Sequence, residues 1–460
     1  MISAFPVRSP RAALLPLALL SSLAAFPARA DEGDGGPTIT MEGSTRVRLE
    51  AIEGQFRPDA PAHDAFVSFR TRVAAKLDLG PLAFGGEVVD ARGYGQREGS
   101  SVRTSEVNAL EPVQAYAALQ AGDLLAVGDS ATLTAGRISF GLGSQRLVGR
   151  TDFPNTFKSY LGAMLDWRTR GNDGLIAFWT RPFVSLPEDV DGVRDNAVEL
   201  DRANGNLVFF GAHGTLARAF GNVGAEAYVY RLAENDRAVR PTRNRHLVTF
   251  GTRLRRAPAK GRFDFELEGA LQRGHVRATT SPGDLRDLDV DAGFGHAEAG
   301  WTFAAGWSPR VSVLFDYASG DGGEPGRYGR FDTLYGSRRS DFGPLSLYGP
   351  VGRANLLSPG VRFEARPSGR LDLMASLRGL WLASASDSFA STGVRDAAGA
   401  SGTHAGTQIE LRARHWLVPR RLRIELGGAY LAKGDFLNHA PNAPAAGDTR
   451  YGHVDLGFSF

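Results

Sequence analysis

The chain has 460 residues, 57 of them Gly and none Cys, which excludes a disulfide framework and thiol chemistry. Its 53 basic residues exceed its 50 acidic ones only because Met1–Ala30 carries Arg8, Arg11 and Arg29 without an acid. The remainder is electrically balanced and offers no whole-molecule argument for nucleic-acid binding.

Met1–Ala30 reads as a cleaved secretory signal. Arg8 and Arg11 form its positive region, Ala12–Ala25 its apolar core, and Ala28-Arg29-Ala30 a small-residue cleavage site. That core, interrupted by Pro16, is too short to cross ~30 Å of hydrocarbon as a helix. The mature chain is expected to start near Asp31 and to form one domain over residues 31–460.

Beyond Asp31 no apolar run reaches the length of a membrane helix, and period-two alternation recurs instead. Val67, Phe69, Val73, Leu77 and Leu79 share one face of the segment 66–79, while Ser68, Arg70, Arg72, Lys76 and Asp78 share the other. In chain order the segments that fit are 44–54, 64–79, 82–93, 112–122, 131–137, 162–170, 174–182, 206–215, 222–232, 245–255, 262–274, 294–306, 310–319, 358–367, 370–382, 405–418, 421–431 and 449–460. Tight turns such as Gly80-Pro81 and Ser368-Gly369 alternate with long segments rich in Gly, Asp and Arg. Strands near ten residues, each with an apolar face, joined alternately by short and long connections, describe an all-β fold. It is a transmembrane antiparallel β-barrel of about 18 strands, with short periplasmic turns and long extracellular loops. A soluble sheet would need a second layer to cover its apolar face. Neither the blade-length repeat of a propeller nor the second layer of a β-sandwich appears in the sequence. The ending Val454, Leu456, Phe458, Phe460 alternates up to a terminal Phe. It resembles the C-terminal signature of proteins inserted by the bacterial outer-membrane assembly machinery, which makes that machinery and outer-membrane lipid the expected partners.

The long connection Ser319–Gly360 follows neither period. A stretch of about 40 residues without an element is functional or disordered, and Phe331, Tyr335, Phe342, Leu347 and Tyr348 give this one something to pack. It also carries Arg327, Arg330, Arg338, Arg339 and Arg353 against Asp332 and Asp341. We expect it to be associated with the pore.

If the apolar face meets lipid, the opposite face lines the lumen. Arg46, Arg48, Glu50, Arg70, Arg72, Glu87, Asp166, Arg168, Arg170 and Arg181 are read there from the first half of the chain. Glu266, Glu268, Glu298, Asp316, Arg362, Glu364, Arg366, Arg378, Glu410, Arg412, Arg414, Arg423 and Glu425 follow from the second. Arg outnumbers Lys, and a planar guanidinium can bind a carboxylate through two parallel hydrogen bonds. Such arginines either pair with Glu and Asp on neighbouring strands and stiffen the wall, or form a positive track for carboxylate-bearing solutes. The densest candidates for the track are Arg412 and Arg414, then Arg362 and Arg366, with Asp166, Glu364 and Glu410 placed to hold them.

The segments GRISFGLGSQRLVGRTDFPNTFKSY (Gly136–Tyr160) and FDTLYGSRRSDFGP…LYGPVGRANLLSPG (Phe331–Gly360) resemble the alginate-export outer-membrane channel family, over about Ile39 to Phe460. The resemblance implies a monomeric barrel of 18 strands whose loops fold over or into an electropositive pore suited to an anionic polysaccharide. It places Gln145, Arg146 and Arg150 in the first motif and Arg338, Arg339, Asp341 and Arg353 in or beside the second. Arg362, Glu364, Arg412 and Arg414 match the family's inward charges on late strands.

The nine His are scattered without an HExxH pattern, and no motif announces a hydrolytic triad, so neither an enzyme nor a cofactor is expected. Gly320–Gly323 reads as a turn, since only Asp321 and Glu324 could serve calcium there. The expected function is passage of a uronate-type solute by diffusion. The alternatives are a porin for small nutrients and a plugged barrel acting as a surface receptor or adhesin.

Overall fold

The computed structural model describes residues 36–150, 152–236 and 241–460; the expected signal segment Met1–Ala30 lies outside the described residues. Apolar and polar residues in alternation give a strand one face for lipid and one for the lumen. The strands run in chain order as β1 (Thr38–Glu53), β2 (His63–Asp78), β3 (Leu82–Tyr94), β4 (Asn108–Gly122), β5 (Ser130–Ile138) and β6 (Tyr160–Arg168). They continue as β7 (Gly174–Val184), β8 (Leu207–Phe220), β9 (Val223–Glu234), β10 (His246–Arg256), β11 (Arg262–Arg277) and β12 (Asp287–Thr302). The last six are β13 (Arg310–Ala318), β14 (Leu356–Ser368), β15 (Leu371–Trp381), β16 (His404–Val418), β17 (Leu422–Lys433) and β18 (Thr449–Ser459). Each pairs antiparallel with its neighbour, and β1 pairs with β18 from Ser44–Ser459 to Glu53–Arg450, which closes an 18-stranded barrel. Closure satisfies the backbone N–H and C=O groups that hydrocarbon cannot. Leu49, Leu133, Phe250, Val313 and Leu411 are exposed on the outer face, where they meet lipid.

Every expected segment overlaps one observed strand. The largest difference is at β12, expected over 294–306 and observed from Asp287. There Leu288, Val290 and Ala292 are buried inside while Asp287, Asp289 and Asp291 are exposed outside, the reverse of the lipid rule. The cause is an apolar filling of the lumen at this end, shown by Phe294 packing on Phe331 with ring centroids 5.2 Å apart.

Much of that filling comes from two long connections, 139–159 and 319–355, with Phe56, Val102, Phe389 and Phe436 added by others. Phe331, Phe342, Leu347, Tyr348 and Val351 are buried, and they join a core with Phe178, Phe209, Tyr228 and Tyr230 of the wall. Ser319–Gly360 is therefore not wholly irregular. It contains a short pairing of Arg327–Tyr328 with Asp289–Val290, the one-turn helix α1 (Arg339–Phe342), and the start of β14.

The two inward connections also pair with each other. Tyr335 N donates to Leu147 O at 3.0 Å, Gly149 N to Tyr335 O at 3.1 Å, and Ser337 N to Gln145 O at 2.8 Å.

Candidate functional site

Where the two connections meet, buried charges lock them to the barrel. Arg146 donates to Asp341 at 2.9 Å and to Glu268 of β11 at 2.7 Å, and also pairs with Glu266. Burial opposes its charge, but Glu266 and Glu268 raise its pKa overall. Arg353 shares Asp341 and lies 5.1 Å from the centroid of the Phe342 ring. Arg339 reaches Glu410 of β16 at 2.6 Å and stacks over Phe153 at 4.6 Å. A guanidinium offers five donors in a fixed fork, so one arginine can tie two loops and a strand together.

A second lock holds the 139–159 connection against the first strands. Arg70 donates to Asp152 O and Pro154 O, each at 3.1 Å, and to the Asp152 carboxylate at 2.6 Å. Arg46 donates to Asn155 Oδ1 at 3.0 Å, and Arg48 to Phe153 O at 2.8 Å. Burial works to raise the pKa of Asp152, but Arg70 and Arg46 beside it bring it below the ordinary value. Asn155 continues the chain of contacts, donating to Phe69 O and Glu106 O at 2.9 Å.

The residues expected to form the track thus fall into groups. Arg70, Arg146, Arg339, Asp341, Arg353 and Glu410 belong to the locks. Gln145 joins them through its main chain and accepts from Arg150 N at 2.9 Å. Arg72 lies between Glu42 and Glu87. Glu364 pairs with Arg310 at 3.1 Å, and Arg362 donates to Ser340 O of the inserted connection at 2.9 Å. Asp166 and Arg168 pair with each other at 3.0 Å near the short-turn end of β6, away from the locks. Arg366 pairs with Asp372 and is exposed at the corresponding end of β14. Arg414 is held by Glu425 at 2.7 Å.

Arg412 differs. It stands beside Arg339 and Arg414, with neither hydrogen bond nor ion pair to any described residue, and its Nε is buried without an acceptor. Arg423, on the neighbouring strand, likewise has no carboxylate within pairing distance among the described residues and faces the Trp416 ring at 5.9 Å.

A further cationic group lies around Arg338. Its hydrogen bond goes to Ser391 Oγ at 2.5 Å, not to a carboxylate, and burial lowers its pKa. Arg57 donates to Leu347 O at 2.8 Å and Arg103 to Ser100 O at 2.7 Å. Burial and the charges of Arg338 and Arg103 bring Arg57 down to about 10. Lys158 lies 5.7 Å from the centroid of the Tyr335 ring; enclosure and Arg338 bring its ammonium down to about 8. Of these four only Arg338 was expected. Arg57, Arg103 and Lys158 sit in connections with no alternation to assign them a face, so nothing local in the sequence marks them. Among the described residues no group of three or more His, Asp or Glu could hold a metal ion.

The sequence pattern of a family described as alginate export matches residues 38–449. No curated protein matches the sequence. Among solved structures the chain resembles OccK9 (OpdG) of Pseudomonas aeruginosa, with a TM-score of 0.56, 12% identity, and coverage of 92% of this chain and 98% of that one. It also resembles OccK3 (OpdO) of the same organism, with a TM-score of 0.52, 14% identity, and coverage of 91% and 95%. At such identities the likeness concerns the fold.

Proposed function

Because this chain belongs to the alginate export family of outer-membrane β-barrel channels, we propose that its lumen passes an anionic, uronate-type polysaccharide by diffusion. The observation that carries this reading is a set of lumenal cations without carboxylate partners among the described residues, in a barrel where most inward arginines are paired. Arg338 with Arg57, Arg103 and Lys158 forms one such group, and Arg412 with Arg423 another. Each leaves positive potential that a carboxylate can use.

A guanidinium replaces part of a carboxylate's hydration through paired N–H donors. Several weak sites in series let a polymer enter and still leave, which conduction requires. The locked arginines have a different role: their charge is consumed within the protein, and they fix the shape of the constriction. No covalent step is involved.

The tightly packed core of the two inserted connections favours a second reading, a closed barrel that presents its loops to a partner. Reversal potentials in planar bilayers under a salt gradient distinguish the two. Anion preference that falls in Arg338→Ala and Arg412→Ala supports the channel, whereas absence of current with all loops intact supports the closed barrel.

A further inference from the structure

The connection from β4 to β5, residues 123–129, is unlike a plain polar turn. Leu124, Leu125 and Val127 are 59%, 74% and 87% exposed, so the turn presents three apolar side chains at the short-turn end of the barrel. It is nonetheless well held. The Asp129 carboxylate accepts from the backbone N–H groups of Leu124, Leu125 and Ala126 at 2.6, 2.8 and 2.9 Å. It accepts at 2.9 Å from the indole N–H of Trp167 as well.

Trp167 alternates with Leu161 and Leu165 on the outward face of β6, and Leu133 of β5 is exposed on the same side. Asp129 therefore gathers the turn toward the lipid-facing side of the wall, continuing the apolar band. Arg170 lies against Gly128, where a Cβ would stand 3.0 Å from its Nε. Arg170, read from the sequence as lumenal, lies instead in the turn beyond β6, where it is exposed and makes no hydrogen bond or ion pair with a described residue.

We propose that residues 123–129 form a membrane anchor that inserts Leu124, Leu125 and Val127 into the periplasmic leaflet, with Arg170 at the level of the phosphates of an anionic phospholipid. Apolar side chains held at an interface beside a cation gain both from burial and from attraction to anionic headgroups. Trp167, with its ring toward the acyl chains and its N–H bonded to Asp129, marks the boundary, as tryptophans do in outer-membrane barrels. A lipid fits better than a protein partner because the patch is continuous with the face that already meets the bilayer.

The absence of native cysteine makes the test direct. The full barrel carrying Leu125→Cys, and a control carrying Gly369→Cys where a Cβ meets no neighbour within 4 Å, are labelled with an environment-sensitive fluorophore. Both are reconstituted in phosphatidylethanolamine–phosphatidylglycerol vesicles. Emission from position 125 should shift to the blue, fall with brominated acyl chains and resist aqueous iodide, while position 369 does the reverse. Iodide quenching at 125 equal to that at 369, without quenching by bromine, overturns the anchor and leaves a surface free for a periplasmic protein. Replacing phosphatidylglycerol with phosphatidylcholine should weaken the bromine quenching at 125, and Arg170→Ala should abolish that lipid dependence. Equal quenching in both lipids removes Arg170 from the anchor.

Discussion

At the residue scale, having a partner separates structural charges from those available to a solute. Asp341 is shared by two buried arginines, Arg146 and Arg353. Asp341→Asn leaves both short of an acceptor, and breaking a buried pair costs about 3–5 kcal/mol. The expected result is earlier thermal unfolding in detergent and a noisier, larger single-channel current. Arg412→Ala removes no partner from any carboxylate, so unfolding should move by no more than about 0.5 kcal/mol while anion preference falls. The pairing underlying this contrast was not legible in the sequence: Arg412 and Arg414 share a face two residues apart, yet only Arg414 meets Glu425. Lys158 adds a pH dependence. Its ammonium, brought down to about 8 by enclosure and by Arg338, loses its proton as pH rises through that value, so the lumen loses one positive charge. Anion selectivity should decline over that range and stay level in Lys158→Arg, as measured by reversal potentials against pH.

At the scale of elements, the strands were legible because a one-residue slip would exchange the lipid and lumen faces, which ties register to the printed pattern. The rule reversed where the lumen ceased to be aqueous, as at Leu288, Val290 and Ala292. Ser319–Gly360 could be identified as long and packable, but not as the partner of 139–159. Their contacts join residues 145–149 to 335–337, far apart in the chain and without alternation on either side. Gly336 is the position at which this pairing can be disturbed most simply, since a Cβ there would lie 1.7 Å from Arg146 O. Gly336→Ala should separate the two connections while leaving the wall intact. Limited proteolysis should then cut within 319–355 faster than in the wild type, with unchanged β content by circular dichroism.

For the whole molecule, a closed sheet gives a rigid wall, two inserted connections narrow it, and on the proposed function a few cations unpaired among the described residues set the sign of the passage. Net charge reveals little of this, because residues 31–460 are balanced and the positive sites arise from unequal pairing inside the barrel. The central claim is that these cations bind uronate carboxylates during passage. Single-channel conductance of the barrel in planar bilayers, recorded before and after adding oligouronates, tests it most directly. The account predicts an anion-selective current that oligouronates block reversibly, with weaker block in Arg338→Ala and Arg412→Ala. Conductance untouched by oligouronates, or block unchanged in both variants, would contradict it.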